Sequence, residues 1–367
     1  MKTFIFVIAL LFMSYVYVEA SNLPPGRLTV ETATNNAVRN SRNIRRVTYD
    51  IELVNISYDR AEDMFWSTNT PFTFVDIVNR DIRNMQIRAN RAFLEENLEA
   101  QRETLRFVIT NHFANIISAE RELYILQAEI SVLQRELNIL NLSYELGMGS
   151  YFAVRQATHN LNIQTHNREV LQNTINQNFI ELNRIMGVGS SLRHRVVLDE
   201  EFTPLVVRNI NSIIGTHYRY NINIRNARRR LEIAEEEFNN HHVLSYQINP
   251  LTGNFAAGQT TRREREIAVL NAQTELAQII EDNGHRILDL YTNIQAIELN
   301  IQGLYLQKEL AQMSIYLLEE QFAAGQIIML DIYRANLNLL RLEEGLERLK
   351  NTHYILVMQF NNPYILS

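Results

Sequence analysis

From Phe72 to Leu146 the chain contains neither proline nor glycine, and from Ser150 to Met186 it contains neither again. Both residues are costly inside a helix, so their exclusion marks long uninterrupted helices. The pattern predicts helices at about 30–62, 84–146, 151–187, 206–242, 262–324 and 328–362. At ~1.5 Å per residue the two longest reach roughly 95 Å. A helix of a globular protein averages about 11–12 residues. The predicted fold class is mainly α, and these helices are too long for an ordinary core.

Their apolar residues say what they pack against. Ile116, Ala119, Leu123, Leu126, Ile130, Leu133, Leu137, Leu140 and Tyr144 follow one another in steps of three and four. So do Ile294, Ile297, Ile301, Leu304, Lys308, Ala311, Ile315, Leu318 and Phe322. Such steps form a heptad seam, the pattern of coiled-coil packing. Each member of the second series lies 178 residues after its counterpart in the first. The same offset pairs Asn43 with Asn221, Ile44 with Ile222, Gly147 with Gly325 and Leu161 with Leu339. One offset across three helices indicates an internal duplication, with repeats at 21–187 and 206–367 joined by a connecting segment at 188–205.

In each repeat two shorter helices stacked end to end match the long one in height. A repeat therefore supplies two columns joined at one end by a turn, where Gly147 or Gly325 closes the long helix. Two repeats supply four columns. Residues 64–79 and 243–258 occupy equivalent places between the first and second helix of each repeat. Both carry proline, turn residues and aromatic or β-branched residues, and both read as short β-hairpin segments. Leu244, Tyr246 and Ile248 alternate with polar neighbours.

Other features bound the functional classes. Lys2, the apolar run after it and the small residues near Ala20 predict a secretory signal peptide at 1–20. The chain has no cysteine, which leaves no disulfide framework and no lipidated cysteine. Its net charge is −6 with arginine and glutamate interspersed, so no basic stripe favours nucleic acid. There is no glycine-rich phosphate loop, nucleophile elbow or metal motif, so neither an enzyme nor a bound cofactor is expected. His241 and His242 lack a third ligand at suitable spacing, and a solvated helix end accounts for them. Glu235, Glu236 and Glu237 read as a solvated run.

The whole mature chain resembles the TolC family of outer-membrane efflux proteins. The resemblance rests on the paired turns Tyr144-Glu145-Leu146-Gly147 and Phe322-Ala323-Ala324-Gly325, each opening a helix, with the duplication and the signal peptide. It implies duplicated coiled-coil hairpins closing as a homotrimer into a hollow α-barrel, a periplasmic tunnel beneath a transmembrane β-barrel in outer-membrane lipid. It further implies an outer-membrane channel of a tripartite efflux or type I secretion system. A periplasmic adaptor (membrane fusion) protein and an inner-membrane transporter would be the partners. Under that resemblance the tips Gly147, Met148, Gly149, Ser150, Gly325, Gln326 and Ile327 would dock the adaptor. Trp66, Phe72, Phe74 and Tyr246 are the membrane-interface candidates, with the core of a small hairpin as the equal reading of Trp66, Phe72 and Phe74.

Two features depart from the family's pattern. The family often carries an aspartate six residues after each tip glycine, at the tunnel mouth. Asp331 stands there in the second repeat, but Ala153 in the first. The acidic position nine after the glycine holds Arg334 and Gln156. Asp331 and Arg334 are the aperture candidates, with a plain helix-start role as the other reading of Asp331. A membrane-spanning strand needs ~9–11 residues, which is more than half of either β segment. An exported coiled-coil protein without a pore is therefore the rival expectation.

Overall fold

The computed structural model describes residues 27–66, 74–198, 201–241, 247–248, 255–256 and 259–366. The expected signal segment lies outside them. Strand β1 (Arg27–Leu28) leads into helices α1 (Val30–Asn40) and α2 (Arg42–Trp66). Then come the 72-residue α3 (Phe74–Glu145) and α4 (Tyr151–Met186). After β2 (Arg195–Val196) the order recurs with α5 (Ile210–Tyr220), α6 (Ile222–Asn239), the 65-residue α7 (Gln259–Ala323) and α8 (Met329–Asn361). Strands β3 (Gln247–Ile248) and β4 (Phe255–Ala256) stand between α6 and α7.

Where a single first helix was expected in each repeat, two occur. Ser41 breaks the first, and its hydroxyl accepts from the Ile44 amide at 3.2 Å. Asn221 breaks the second, and its Oδ1 accepts from the Ile224 amide at 3.2 Å. Both are N-cap residues, which end one helix and start the next without glycine or proline. These breaks lie 180 residues apart, not 178. Burial follows the same register, with Ile44 matching Ile224 and Val47 matching Ala227, all buried. At the tips and in the core beside them the offset is 178, as Ile109 and Ile287, and Ile116 and Ile294, are all fully buried. The repeats therefore differ by two residues between the helix break and the tip.

Helix α3 begins at Phe74, inside the stretch 64–79 that reads as β from sequence, and α2 runs to Trp66. Phe72 lies outside the described residues. In the second repeat β3 and β4 pair antiparallel, with Gln247 opposite Ala256 and Ile248 opposite Phe255. Strand β1 pairs parallel with β2, Arg27 with Arg195 and Leu28 with Val196, tying the start of the chain to the connecting segment.

The helices lie side by side as one layer of four columns. Helix α3 packs along α4 and α2 on one side and along α8 and α6 on the other; α7 packs along α8 and α6. Each repeat has its own core near mid-height. The first joins Leu28, Ala37, Phe113, Phe179, Leu182 and Val196, among others. The second joins Ile287, Ile294 and Phe360, with Leu205, Ile213 and Tyr291 against them. The connecting segment is fastened to this second core. Glu298 accepts from the Leu205 amide at 2.6 Å and meets Nε2 of the buried His353 at 2.8 Å.

Candidate functional site

Both hairpin tips close by the same backbone device. The Gly147 amide donates to the Tyr144 carbonyl at 3.0 Å and the Met148 amide to the Ser143 carbonyl at 2.9 Å. In the second tip Gly325 donates to Phe322 and Gln326 to Gln321, each at 2.9 Å. These paired bonds satisfy the last carbonyls of each long helix through a left-handed residue. Gly147 and Gly325 supply it, at φ 74° and 71°.

The return helices start differently. In the first repeat Ser150 is the N-cap, and its hydroxyl accepts from the Ala153 amide at 3.1 Å. In the second the N-cap is Ile328, whose side chain has no acceptor; the Asp331 carboxylate instead accepts from the Ile328 amide at 3.3 Å. Each tip thus carries one half of a capping box. The aspartate missing from position 153 is replaced by the serine at 150, and Asp331 has a structural partner in its own turn.

Arg334 points across the joint between the hairpins. It pairs with Glu136 of α3 at 2.9 Å and lies 3.8 Å from Asp331. One heptad on, Arg341 pairs with Glu129 at 2.8 Å. Arg348 and Glu122, one heptad further, line the same groove between α3, α4 and α8. Beside this ladder Arg135 lies over the Tyr333 ring at 4.5 Å, and Arg121 stands 3.6 Å from Glu347. Within the groove, burial raises the pKa of Glu344, with Arg348 opposing and Glu122 adding. The ladder partners were missed from sequence, although Arg334-Arg341-Arg348 and Glu122-Glu129-Glu136 are both strict heptad series.

The tip surface is apolar. Met148 and Phe152 are 76% and 74% exposed, and Leu146, Tyr151, Ile328 and Met329 are exposed with them. Gly149, Ser150, Gln326 and Ile327 complete the two turns, with Gly149 and Ile327 half-buried. Of the proposed membrane-interface residues, Phe74 is exposed at the start of α3 and Trp66 ends α2. Phe72 and Tyr246 lie outside the described residues. Among the described residues no helix is long and apolar enough to cross a membrane.

A second seam, also missed from sequence, runs along α7. Leu299, Leu306, Leu310, Met313 and Leu317 continue in heptad steps and are each more than half exposed. They lie on the face opposite Ile294 and Ile301, which are fully buried. Helix α7 is therefore apolar on two opposite faces, and α6 and α8 cover only one.

This long-hairpin layer recurs in solved structures. The outer membrane protein VceC from Vibrio cholerae matches at a TM-score of 0.69 and 14% identity, over 92% of this chain and 96% of that one. The chain has the fold of an outer-membrane channel. A membrane protein from Pseudomonas aeruginosa matches at a TM-score of 0.71 and 10% identity, over 91% and 90%. The open state of the Neisseria gonorrhoeae MtrE outer membrane channel matches at 0.63 and 12%, over 92% and 89%. No protein-family model and no curated protein matches the sequence.

Proposed function

We propose that the chain is one subunit of a homotrimeric export conduit of the outer membrane. It conducts passively from a periplasmic tunnel and draws energy from an inner-membrane transporter reached through a periplasmic adaptor. The observation that carries the reading is the bare apolar seam of α7. A heptad seam this long is stable in water only against another helix, and the opposite edge of the layer offers α2 and α4 with exposed Tyr49, Leu53, Ile163 and Val170. Closing the layer on itself through further copies covers both edges and leaves no open side. The channel fold supports three copies, and so twelve columns, in the ring.

In this arrangement Asp331 and Arg334 stand near the mouth of the tunnel. The Arg334 guanidinium lies 3.8 Å from Asp331 and is shared with Glu136 at 2.9 Å, so the mouth carries mixed charge and is not a purely acidic ring. The exposed Met148, Phe152, Ile328 and Met329 offer the adaptor a soft apolar tip.

The test is the mass of the detergent-extracted particle, followed by its conductance in a planar bilayer. A trimer from the outer-membrane fraction that passes current supports the reading. Protein released without detergent, and monomeric, overturns it in favour of a poreless coiled-coil protein.

A further inference from the structure

The internal duplication carries information about the joint between copies, because the joint between the two repeats of one chain is already visible. Helix α3 of the first repeat meets α8 of the second in an antiparallel register, with Glu136 opposite Arg334 and Glu129 opposite Arg341. Helix α7 is the repeat-equivalent of α3, and α4 is the equivalent of α8. The geometry points to a copy-to-copy joint in the same register, α7 of one chain against α4 of the next, with Gln307 opposite Ile163 and Asn300 opposite Val170. This inference rests on the homotrimeric reading and specifies its interface.

Each position follows from the 178-residue offset at the tips. Glu129 becomes Gln307 and Glu122 becomes Asn300, while Arg341 becomes Ile163 and Arg348 becomes Val170. The arginines and glutamates that join the repeats inside one chain are thus replaced by apolar and neutral residues. The same translation turns Arg121 into Leu299 and Arg135 into Met313, two members of the bare seam. Exposed apolar residues fall where a partner is required, and the charges fall where a partner is present.

The upper half of the layer agrees independently. There Arg229 and Ile233 of α6 stand beside Ala89 of α3. Their equivalents, taken at the 180-residue offset that holds beyond the helix break, are Tyr49 and Leu53 of α2; the equivalent of Ala89, at the 178-residue offset of the long helices, is Ile267 of α7. All three are exposed large apolar side chains on the two free edges. A joint built on this register lacks the Arg–Glu ladder and gathers exposed apolar side chains at both levels, while the joint inside each chain is ionic near the tip and again where Arg225 and Arg229 meet Glu96.

The absence of native cysteine makes the register directly testable in the full chain. Ile163→Cys with Gln307→Cys, and Val170→Cys with Asn300→Cys, are treated with a short bismaleimide in detergent-extracted particles. Each pair is expected to yield covalent dimers and trimers on a denaturing gel. The pair Ile163→Cys with Asn300→Cys, one heptad out of register, should yield several-fold less. Glu129→Cys with Arg341→Cys should link within one chain and leave its mass unchanged. A trimeric particle that links equally in and out of register, or not at all, overturns the register and leaves the conduit reading standing. A monomeric particle overturns both.

Discussion

Arg341 on α8 reaches Glu129 on α3 at 2.8 Å, and one heptad toward the tip Arg334 reaches Glu136 at 2.9 Å. The spacing is that of a coiled-coil flank, so the two hairpins are held in register by charge as well as by apolar packing. Both arginines are about half exposed. Exposed pairs contribute roughly 0.2–1 kcal/mol each, so Arg341→Ala should cost no more than about 1 kcal/mol in urea unfolding. Glu129→Arg, which sets like charges face to face, should cost more. Combining it with Arg341→Glu should restore most of the loss. A double exchange no more stable than the single reversal would count against the pairing.

Salt supplies a second test of the same joint. Screening lengths fall from about 10 Å at 0.1 M to about 3 Å at 1 M salt. Hydrogen exchange at the tips, residues 143–152 and 321–331, should therefore quicken at high salt. The mid-height cores around Phe113 and Phe360 should not follow. Equal change in both places would mean that the tips are held by something other than the ladder.

The two half capping boxes predict opposite substitutions. Removing the acceptor with Asp331→Ala should cost about 0.5–1.5 kcal/mol of local stability, the net worth of one hydrogen bond. Ile328→Ser should complete the box and slow amide exchange at 328–331. A pore-lining role alone would leave exchange unchanged in Asp331→Ala and alter only ion selectivity, so the two measurements separate the cap from the gate.

Gly187 and Gly147 both hold left-handed backbone, at φ 69° and 74°. At Gly147 an added Cβ meets nothing within 4 Å, whereas at Gly187 it would lie 2.6 Å from Cβ of Asn40. The Asn40 amide nitrogen also donates to the Met186 carbonyl at 2.7 Å, so that side chain is pinned. Gly147→Ala should cost about 1–2 kcal/mol, the left-handed penalty alone. Gly187→Ala should cost clearly more, read as the difference in urea midpoint between the two variants.

Stability should also depend on pH. Burial lowers the pKa of His217 below the ordinary 6.5, with the Phe360 carbonyl opposing; burial also lowers those of His194 and His112, with Glu181 opposing at the latter. The folded chain then binds fewer protons than the unfolded one below that value. The contribution is fully present above 6.5 and is lost as pH falls toward the folded values. Burial raises the pKa of Glu120 and Glu344, which acts in the opposite sense just above the ordinary carboxylate value of 4.5. Tm should fall between about pH 7.5 and about pH 5.5, and His217→Gln should flatten the fall. A profile with no slope in that window would sink the assignment.

Much of the fold was legible because long helices announce themselves by what they leave out. Excluded glycine and proline place α3 and α4, whereas α7 and α8, which contain Gly284, Gly303 and Gly345, were legible from the heptad seam and its 178-residue repeat. The breaks at Ser41 and Asn221 were hidden, since a capping residue inside an apolar period looks like an ordinary polar position. The hidden breaks also concealed the shift from 178 to 180. The second seam of α7 was obscured because a helix apolar on two opposite faces has no single preferred side. At the tips the glycines were readable from composition. The caps were not, since Ser150 and Asp331 perform equivalent tasks at different positions of the turn.

The pairing of β1 with β2 has a consequence for the order in which the chain can fold. Leu28 and Val196 join a core whose other members, from Ala33 to Met186, all come from the first repeat. A chain that emerges amino end first can therefore complete this unit once the connecting segment is available, before any of the second repeat. The second core draws only on residues from Leu205 onward. The protein is thus divided into two successive folding units, and the ladder between α3 and α8 forms only when the later one docks. In the proposed ring, assembly with other copies would wait for that step, since α7, which carries the bare seam, belongs to the second unit.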